Sequence, residues 1–213
     1  MTAAGAPRIA VLDYGIGNLR SAQKALERVG ARAELSADRS VIDSADAVVL
    51  PGVGAFGACM DALDASGLAG AARDSVASGR PFLGICVGMQ LLFDGSEETP
   101  GRPGLGIVPG HIRWIAPGVK RPQMQWNVLD IVKVDDPMLA GLGSEPWMYF
   151  VHSLHGVPAD PGVVAATCDY GGPLTAAVRL GNVFATQFHP EKSGRSGLAL
   201  LANFVRIASG VTA

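Results

Sequence analysis

Apolar runs and amphipathic stretches alternate through the first half of the chain. Short apolar runs at residues 9–13, 31–35, 47–50 and 81–85 have the length of buried strands. Apolar positions recur at helical spacing over residues 19–29, 58–66, 68–78 and 87–93. Strands that alternate with helices indicate βα units and a largely parallel sheet, in which sites form at the carboxyl ends of the strands.

The pattern changes after residue 93. Residues 94–110 are rich in glycine and proline and predict a solvated loop, with Glu97 and Glu98 as surface charges. Strands with short connections, some of them antiparallel, are predicted at residues 128–134, 147–151, 163–170, 175–180 and 183–188. Residues 194–208 predict a closing helix. The expected fold is α/β, with an open mixed, largely parallel sheet, helices on both faces and a β-rich C-terminal half.

Composition narrows the class of protein. A chain of 213 residues that is 48% hydrophobic fills one core, so a single domain over residues 1–213 is expected. The net charge is −2 and no basic run stands out, which argues against a nucleic-acid partner. Residues 1–8 lack the apolar core of a signal peptide and no segment approaches a membrane span, so a cytoplasmic protein is expected.

The three cysteines, Cys59, Cys86 and Cys168, are odd in number and widely spaced. This argues against a disulfide framework and against a metal site, and no cofactor is expected. Cys86 lies where the strand at residues 81–85 meets the helix at 87–93, between Gly84 and Gly88. This is the thiol version of a nucleophile elbow, and a helix N-terminus favours the thiolate. A small buried cysteine in a strand–helix unit explains the pattern equally well.

His189 and Glu191 form the second candidate pair. His189 directly follows the apolar run at residues 183–188 and is predicted to be the last residue of that strand. Pro190 favours an extended conformation for the residue before it. Side chains two positions apart in an extended chain lie on one side, so Glu191 can hold the imidazole and stabilise its protonated form. A nucleophilic thiol needs such a base. A lone histidine would instead be structural, and His152 at another strand end could line a pocket without catalysing.

Four segments together resemble the class I glutamine amidotransferases. They are PGVGAFG at 51–57, GICVGMQLLF at 84–93, YFVHS at 149–153 and QFHPEKSGRSG at 187–197. DYGIGNL at 13–19, MQWN at 124–127 and the KSG after HPE are most similar to the glutaminase subunits of imidazole glycerol phosphate synthases. The resemblance covers essentially the whole chain and implies a flavodoxin-like fold.

The resemblance also implies a reaction, the hydrolysis of the side-chain amide of glutamine. Cys86 would attack the amide, His189 would act as base and then as acid to the leaving ammonia, and Glu191 would orient His189. The oxyanion would be held by the N–H of Val87 and by an N–H from Gly52 and Val53. The glutamine would be held by Gln90, His152 and Ser153.

A partner follows from the same resemblance. Ammonia that escapes to water becomes ammonium, so it would pass under cover to a barrel-shaped cyclase subunit that makes imidazole glycerol phosphate and an aminoimidazole carboxamide ribotide in histidine biosynthesis. Trp126, Asn127 and Lys192 would lie at this interface. The glycines at 51–57 predict a segment mobile enough that its N–H is aimed correctly only when the partner is bound.

Two other hypotheses stay open from the residues alone. One keeps the chemistry but changes the partner, to a synthase for anthranilate, aminodeoxychorismate or pyridoxal phosphate. The other is a non-catalytic binding protein or a cysteine peptidase on the same fold.

Overall fold

The structure is a computed structural model that describes residues 5–210. The expectation that residues 1–8 lack a signal peptide falls partly outside the described residues, since it includes residues 1–4. Between residues 5 and 210, no helix combines the length and the apolar character needed to cross a membrane.

The described residues form six α-helices, thirteen strands and two short 3-10 helices, at Pro161–Val163 and Pro190–Lys192. The helices are α1 (Leu19–Arg28), α2 (Arg39–Asp43), α3 (Phe56–Ala65), α4 (Leu68–Ala77), α5 (Val87–Gln90) and α6 (Gly194–Ala208). The strands of the first half are β1 (Arg8–Leu12), β2 (Arg32–Ser36), β3 (Ala47–Gly52), β4 (Phe82–Cys86), β5 (Phe93–Ser96) and β6 (Val108–Trp114). The later strands are β7 (Gln123–Val128), β8 (Asp130–Ile131), β9 (Trp147–His152), β10 (Leu154–Pro158), β11 (Val164–Asp169), β12 (Pro173–Leu180) and β13 (Val183–Thr186).

The main sheet has the strand order β2-β1-β3-β4-β13-β12-β11-β8. The first five strands of this order are parallel, and the pairs from β13 onward to β8 are antiparallel. Every residue of β3, β4 and β13 is buried, which is the pattern of strands covered on both faces. The carboxyl ends of β3 and β4 coincide, because Gly52 pairs with Cys86.

The helices form two groups on this sheet. The first contains α1 and α6, which pack against each other, and the second contains α2, α3 and α4. In α1 the buried residues Ala22, Ala25 and Leu26 follow helical spacing, so one apolar stripe faces the sheet. The predicted closing helix at residues 194–208 has the bounds of α6.

Two smaller sheets cover the site end of the molecule. One has the order β10-β6-β5, and the other is an antiparallel ribbon of β7 and β9. In the ribbon, Trp126 pairs with Tyr149 and Gln123 pairs with His152. Residues 149–152 of β9 thereby come close to the carboxyl ends of the central strands.

The sequence interpretation was wrong at four places in this half. The helix predicted at 87–93 ends at Gln90, and Phe93 begins β5, where it pairs with Val108 of β6 and is fully buried. The loop predicted at 94–110 contains most of β5 and the start of β6. The strand predicted at 128–134 is divided between the end of β7 and the short β8. The strand predicted at 183–188 ends at Thr186, since the chain turns toward the site there.

Candidate active site

Cys86 occupies a strained turn between β4 and α5. Its φ of 56° and ψ of −114° make it the one non-glycine residue with positive φ among residues 5–210. L-residues rarely adopt such a conformation unless the surrounding structure holds them there. The thiol is free and the side chain is buried. The predicted nucleophile elbow is present, with α5 a single helical turn rather than the longer helix expected.

The two flanking glycines are required by the packing of this turn. A Cβ at Gly88 would collide with the carbonyl oxygen of Leu50 on the neighbouring strand. A Cβ at Gly84 would lie 3.1 Å from the Cβ of Ala185 and 3.1 Å from the carbonyl oxygen of Gly88. The GxCxG pattern therefore reflects close backbone approach on both sides of the cysteine.

His189 and Glu191 form a buried pair. The Nδ1 atom of His189 lies 2.7 Å from the Oε1 atom of Glu191, and each side chain is 2% exposed. His189 is extended, with φ −99° and ψ 95°, as the following proline predicts, but it lies beyond the end of β13 rather than within the strand. Ser193 holds the turn, because its hydroxyl donates to the His189 carbonyl at 2.6 Å and accepts from the Tyr149 N–H at 3.0 Å.

The protonation of His189 depends on its two neighbours. Burial by itself lowers the pKa of the imidazole, but interactions with Cys86 and Glu191 outweigh burial and raise the pKa to about 10. The Nε2 atom is buried and has no hydrogen-bond partner among the described side chains, so it remains available to the site. A protonated His189 next to Cys86 can act as an acid toward a group that the sulfur attacks.

Cys86 and His189 line one cavity of about 250 Å³. Val53, Gly54, Val87, Gln90, Glu98, Pro122, Val151, His152, Ser153 and Leu154 complete its wall. The predicted catalytic, oxyanion and substrate residues are therefore brought to one place, although Gly52 and Glu191 lie just behind the wall. A larger cavity of about 450 Å³ is lined by residues of β1, β2, α1 and α2 and has no cysteine, serine or histidine in its lining.

Two buried glutamines form a chain of contacts that ends at the cysteine. The Nε2 atom of Gln187 lies 3.9 Å from the Sγ atom of Cys86, and the Oε1 atom of Gln187 accepts from the Nε2 atom of Gln90 at 3.0 Å. Gln90 also donates to the Leu154 carbonyl at 3.3 Å. The amide nitrogen of Gln90 is thus used within the protein. Gln187 was not singled out from the sequence, yet it stands two residues before His189, the spacing that places extended side chains on one side.

His152 is held neutral. Its Nδ1 atom lies 2.7 Å from the Leu154 carbonyl, so this nitrogen carries the hydrogen. Burial lowers the pKa of His152 to about 4, and the charge of His189 adds to this effect. His152 lines the cavity as a neutral group, in agreement with the expectation that it lies in the pocket wall.

Glu98 corrects the interpretation of residues 97 and 98 as surface charge. Glu97 is exposed and bonded to Arg113, as a surface acid would be. Glu98, in contrast, lines the cavity, and its Oε2 atom accepts from the Phe56 N–H at 2.6 Å. Phe56 and Glu98 are 42 positions apart in the sequence, so no local pattern could have indicated this contact.

The three predicted interface residues differ in their surroundings. Trp126 is 47% exposed and its ring packs against that of Tyr149 in a tilted arrangement, with the centroids 5.9 Å apart and the planes at 60°. Lys192 is exposed. Asn127 donates to the Asp169 carbonyl at 2.8 Å and accepts from the Val128 N–H at 2.9 Å, so its amide is already engaged within the chain.

Comparison with known proteins places this arrangement in a family. The model of the class-I glutamine amidotransferase family matches residues 10–208. A protein of Deinococcus radiodurans called imidazole glycerol phosphate synthase subunit HisH is 51% identical over 204 residues, which cover 94% of this chain and 94% of that protein. The protein of the same name from Methanothermobacter thermautotrophicus is 49% identical and covers 93% of this chain and 98% of its own length.

Solved structures with lower identity share the fold. A chain in the structure of PurLQS from Thermotoga maritima superposes with a TM-score of 0.75 at 22% identity, over 94% of this chain and 98% of that one. The glutaminase domain of Trypanosoma brucei CTPS, solved with bound acivicin, superposes with a TM-score of 0.68 at 18% identity, over 97% of this chain and 95% of that one.

Proposed function

Because the chain belongs to the class-I glutamine amidotransferase family, we propose that it is the glutaminase subunit of an imidazole glycerol phosphate synthase. It hydrolyses glutamine to glutamate and ammonia and passes the ammonia to a cyclase subunit. The observation that carries this conclusion is the strained Cys86 sharing a cavity with His189, whose other nitrogen is bonded to Glu191. The relatives at about 50% identity over nearly the full chain supply the identity of the synthase.

The first half of the reaction forms a thioester. The thiolate of Cys86 attacks the side-chain amide carbon of glutamine, and the carbonyl π electrons move to the oxygen. His189 carries the proton taken from the thiol and delivers it to the amide nitrogen. The oxyanion electrons then re-form the C=O bond as the C–N bond breaks, so ammonia leaves and the thioester remains. The raised pKa of His189 keeps this proton in place until it is needed, and Glu191 stabilises the imidazolium and fixes the ring orientation.

The second half hydrolyses the thioester. With ammonia gone, neutral His189 takes a proton from a water molecule as the water oxygen attacks the acyl carbon. Collapse of the tetrahedral intermediate breaks the C–S bond and releases glutamate, and the thiolate–imidazolium pair is restored. The same imidazole acts once as acid and once as base.

Backbone N–H groups stabilise the oxyanion in both halves. Val87 begins α5, and the first N–H groups of a helix have no acceptor within it, so its N–H is available to the attacked carbonyl. The second donor comes from the peptide between Gly52 and Val53, at the end of the neighbouring strand. The pairing of Gly52 with Cys86 keeps these two segments side by side.

The remaining wall of the cavity holds the amino-acid end of glutamine. Glu98 is the carboxylate in this wall, and it suits the α-ammonium group of the substrate. Neutral His152, at the end of β9, and Ser153, the next residue, border the cavity. They contribute polar contacts without adding a charge. Gln90 acts through the hydrogen bonds by which it fixes Gln187 and the Leu154 carbonyl.

The cyclase subunit docks on the outer face of the β7–β9 ribbon. Residues alternate between the two faces of a strand, so one face presents Met124, Trp126, Trp147, Tyr149 and Val151. Met124 is 63% and Trp126 47% exposed, and aromatic and methionine side chains are typical of interface cores. Val151 also lines the cavity, so this face adjoins the place where ammonia is released. Lys192 lies at its edge.

The proposed function is tested by changing the nitrogen source. The chain, or its Cys86→Ala variant, is mixed with the cyclase subunit and the cyclase substrate, and formation of imidazole glycerol phosphate is measured with glutamine or with an ammonium salt. We expect the variant to lose synthesis from glutamine and to keep synthesis from ammonium. Synthesis from glutamine by the variant would refute the role of Cys86, and failure of the wild-type chain to support any synthesis from glutamine would refute this partner in favour of another synthase.

A further inference from the structure

Two buried side chains outside the proposed catalytic group of Cys86, His189 and Glu191 bond to residues 51–56, which we call the oxyanion segment. The hydroxyl of Tyr14 donates to the Pro51 carbonyl at 2.8 Å, and the thiol of Cys59 donates to the Val53 carbonyl at 3.2 Å. Tyr14 follows β1 and is 5% exposed, whereas Cys59 lies in α3 and is fully buried. Separate elements of the fold thus reach the same short stretch of backbone.

These two carbonyls bracket one peptide. The Pro51 carbonyl belongs to the peptide before Gly52, and the Val53 carbonyl belongs to the peptide after Val53. The peptide between them carries the N–H that is proposed to bind the oxyanion. This peptide plane can turn about the line joining its two Cα atoms, through ψ of Gly52 and φ of Val53, while both bracketing carbonyls stay in place.

From this arrangement we infer that Tyr14 and Cys59 are positioning residues for glutaminase turnover, which pin both ends of the Gly52–Val53 peptide so that its N–H can be aimed at the oxyanion. The inference rests on the proposed function and adds to it a means of control. Glycine at 52 permits the central peptide to turn, and the two bonds confine the movement to that peptide.

The packing around Gly52 supports a fixed position for the axis about which the Gly52–Val53 peptide turns. The Tyr14 hydroxyl would lie 2.7 Å from a Cβ built on Gly52, and the backbone nitrogen of Gly88 would lie 2.9 Å from it on the elbow side. The far end of the segment is anchored as well, because the Phe56 N–H donates to Glu98. The oxyanion segment is therefore held at three points although it is rich in glycine.

Both donors keep their protons at any working pH. Burial raises the pKa of Tyr14 well above its ordinary value, and burial also raises the pKa of Cys59 to about 11. The two groups remain O–H and S–H donors to the carbonyls. Cys59 is thus used as a hydrogen-bond donor, and its thiol is kept in the form that is not nucleophilic.

The test compares four variants in the complex with the cyclase subunit and its substrate. Because one hydrogen bond contributes a factor of a few, we expect Tyr14→Phe and Cys59→Ala each to lower kcat of glutaminase about 3- to 10-fold, with KM for glutamine nearly unchanged. Cys59→Ser keeps a donor and should stay near wild-type kcat. Cys168→Ala removes another buried thiol, on β11, which is separated from β3 by three strands of the main sheet, and should also keep kcat.

A double variant makes the test sharper. Tyr14→Phe combined with Cys59→Ala should lose less than the product of the two single losses, because either change alone already frees the same peptide. Wild-type kcat in both single variants would overturn the inference, and so would a Cys59→Ser variant as impaired as Cys59→Ala. In either case, Cys86-dependent turnover would still uphold the proposed function. A wild-type chain without Cys86-dependent turnover would refute the proposed function itself.

Discussion

The Nδ1 atom of His189 and the Oε1 atom of Glu191 are 2.7 Å apart in a setting where each side chain is 2% exposed. A hydrogen bond to a buried carboxylate favours the charged imidazole strongly, since water does not screen it. Two neighbours raise the pKa of His189 to about 10 in spite of its burial: Cys86, which has the larger effect, and Glu191 through this bond. The pair thereby holds a proton ready for a leaving group.

Glu191→Gln tests the carboxylate. The neutral amide keeps the shape but not the charge, so the pKa of His189 should fall toward its ordinary value and kcat of glutaminase should drop by about 10²- to 10⁴-fold. The imidazole titration is followed by NMR in the wild type and the variant. An unchanged His189 titration would contradict the assigned cause of its raised pKa.

Glu98→Gln tests the substrate role of the cavity carboxylate. Loss of the charge opposite the α-ammonium group should raise KM for glutamine about 10-fold or more, with kcat much less affected. Glu97→Gln is the matched control, because Glu97 is exposed and bonded to Arg113 outside the cavity. Equal KM values for the wild type and Glu98→Gln would remove Glu98 from the substrate site.

Gly88→Ala tests the packing of the elbow. The added methyl would meet the Leu50 carbonyl oxygen, so we expect a loss of about 3 kcal/mol in the free energy of unfolding and a loss of turnover. Gly70→Ala is the control, since Gly70 lies in α4 with nothing within 4 Å of a Cβ. That change should stabilise the protein by about 0.5 kcal/mol. Urea unfolding measures both.

Trp126→Ala tests the docking face. A half-exposed aromatic at the centre of an interface contributes about 2 kcal/mol, so Kd for the cyclase subunit should rise about 30-fold. Val157→Ala serves as control, because Val157 is 43% exposed on β10, outside the ribbon. Calorimetric titration of both variants with the cyclase subunit gives the two Kd values. Similar losses in the two variants would argue against the ribbon face.

His152 predicts a loss of stability in acid. The unfolded chain binds its proton with a pKa near 6.5, whereas the folded chain binds it only near 4, so the unfolded state holds more protons between these values. Stability should fall as pH drops through this window, by about 3 kcal/mol from His152 alone. A His152→Gln variant should lose less stability over the same range in urea titrations. An equal loss in the variant would assign the acid sensitivity to other groups.

The family, the βα framework and the pattern of the candidate site could all be inferred from the order of residues along the chain. The family inferred from the motifs is confirmed by the match over residues 10–208, and the α/β fold by the sheet and its helices. The turn at Cys86 could be predicted because close backbone contacts require glycine at 84 and 88. These contacts involve residues near in sequence or on the adjacent strand. The bond from His189 to Glu191 could be predicted because it spans only two positions.

The other side chains around the cysteine could be identified only in the folded chain. Gln187 contacts Cys86, which is 101 positions away in the sequence. Glu98 bonds to Phe56 over a separation of 42 positions, and Tyr14 bonds to Pro51 over a separation of 37 positions. Such contacts arise when separate strands and helices pack, and local periodicity carries no information about them. The same packing ended the α5 helix after one turn and made Glu98 a residue of the cavity, because burial in the assembled core outweighs local preference.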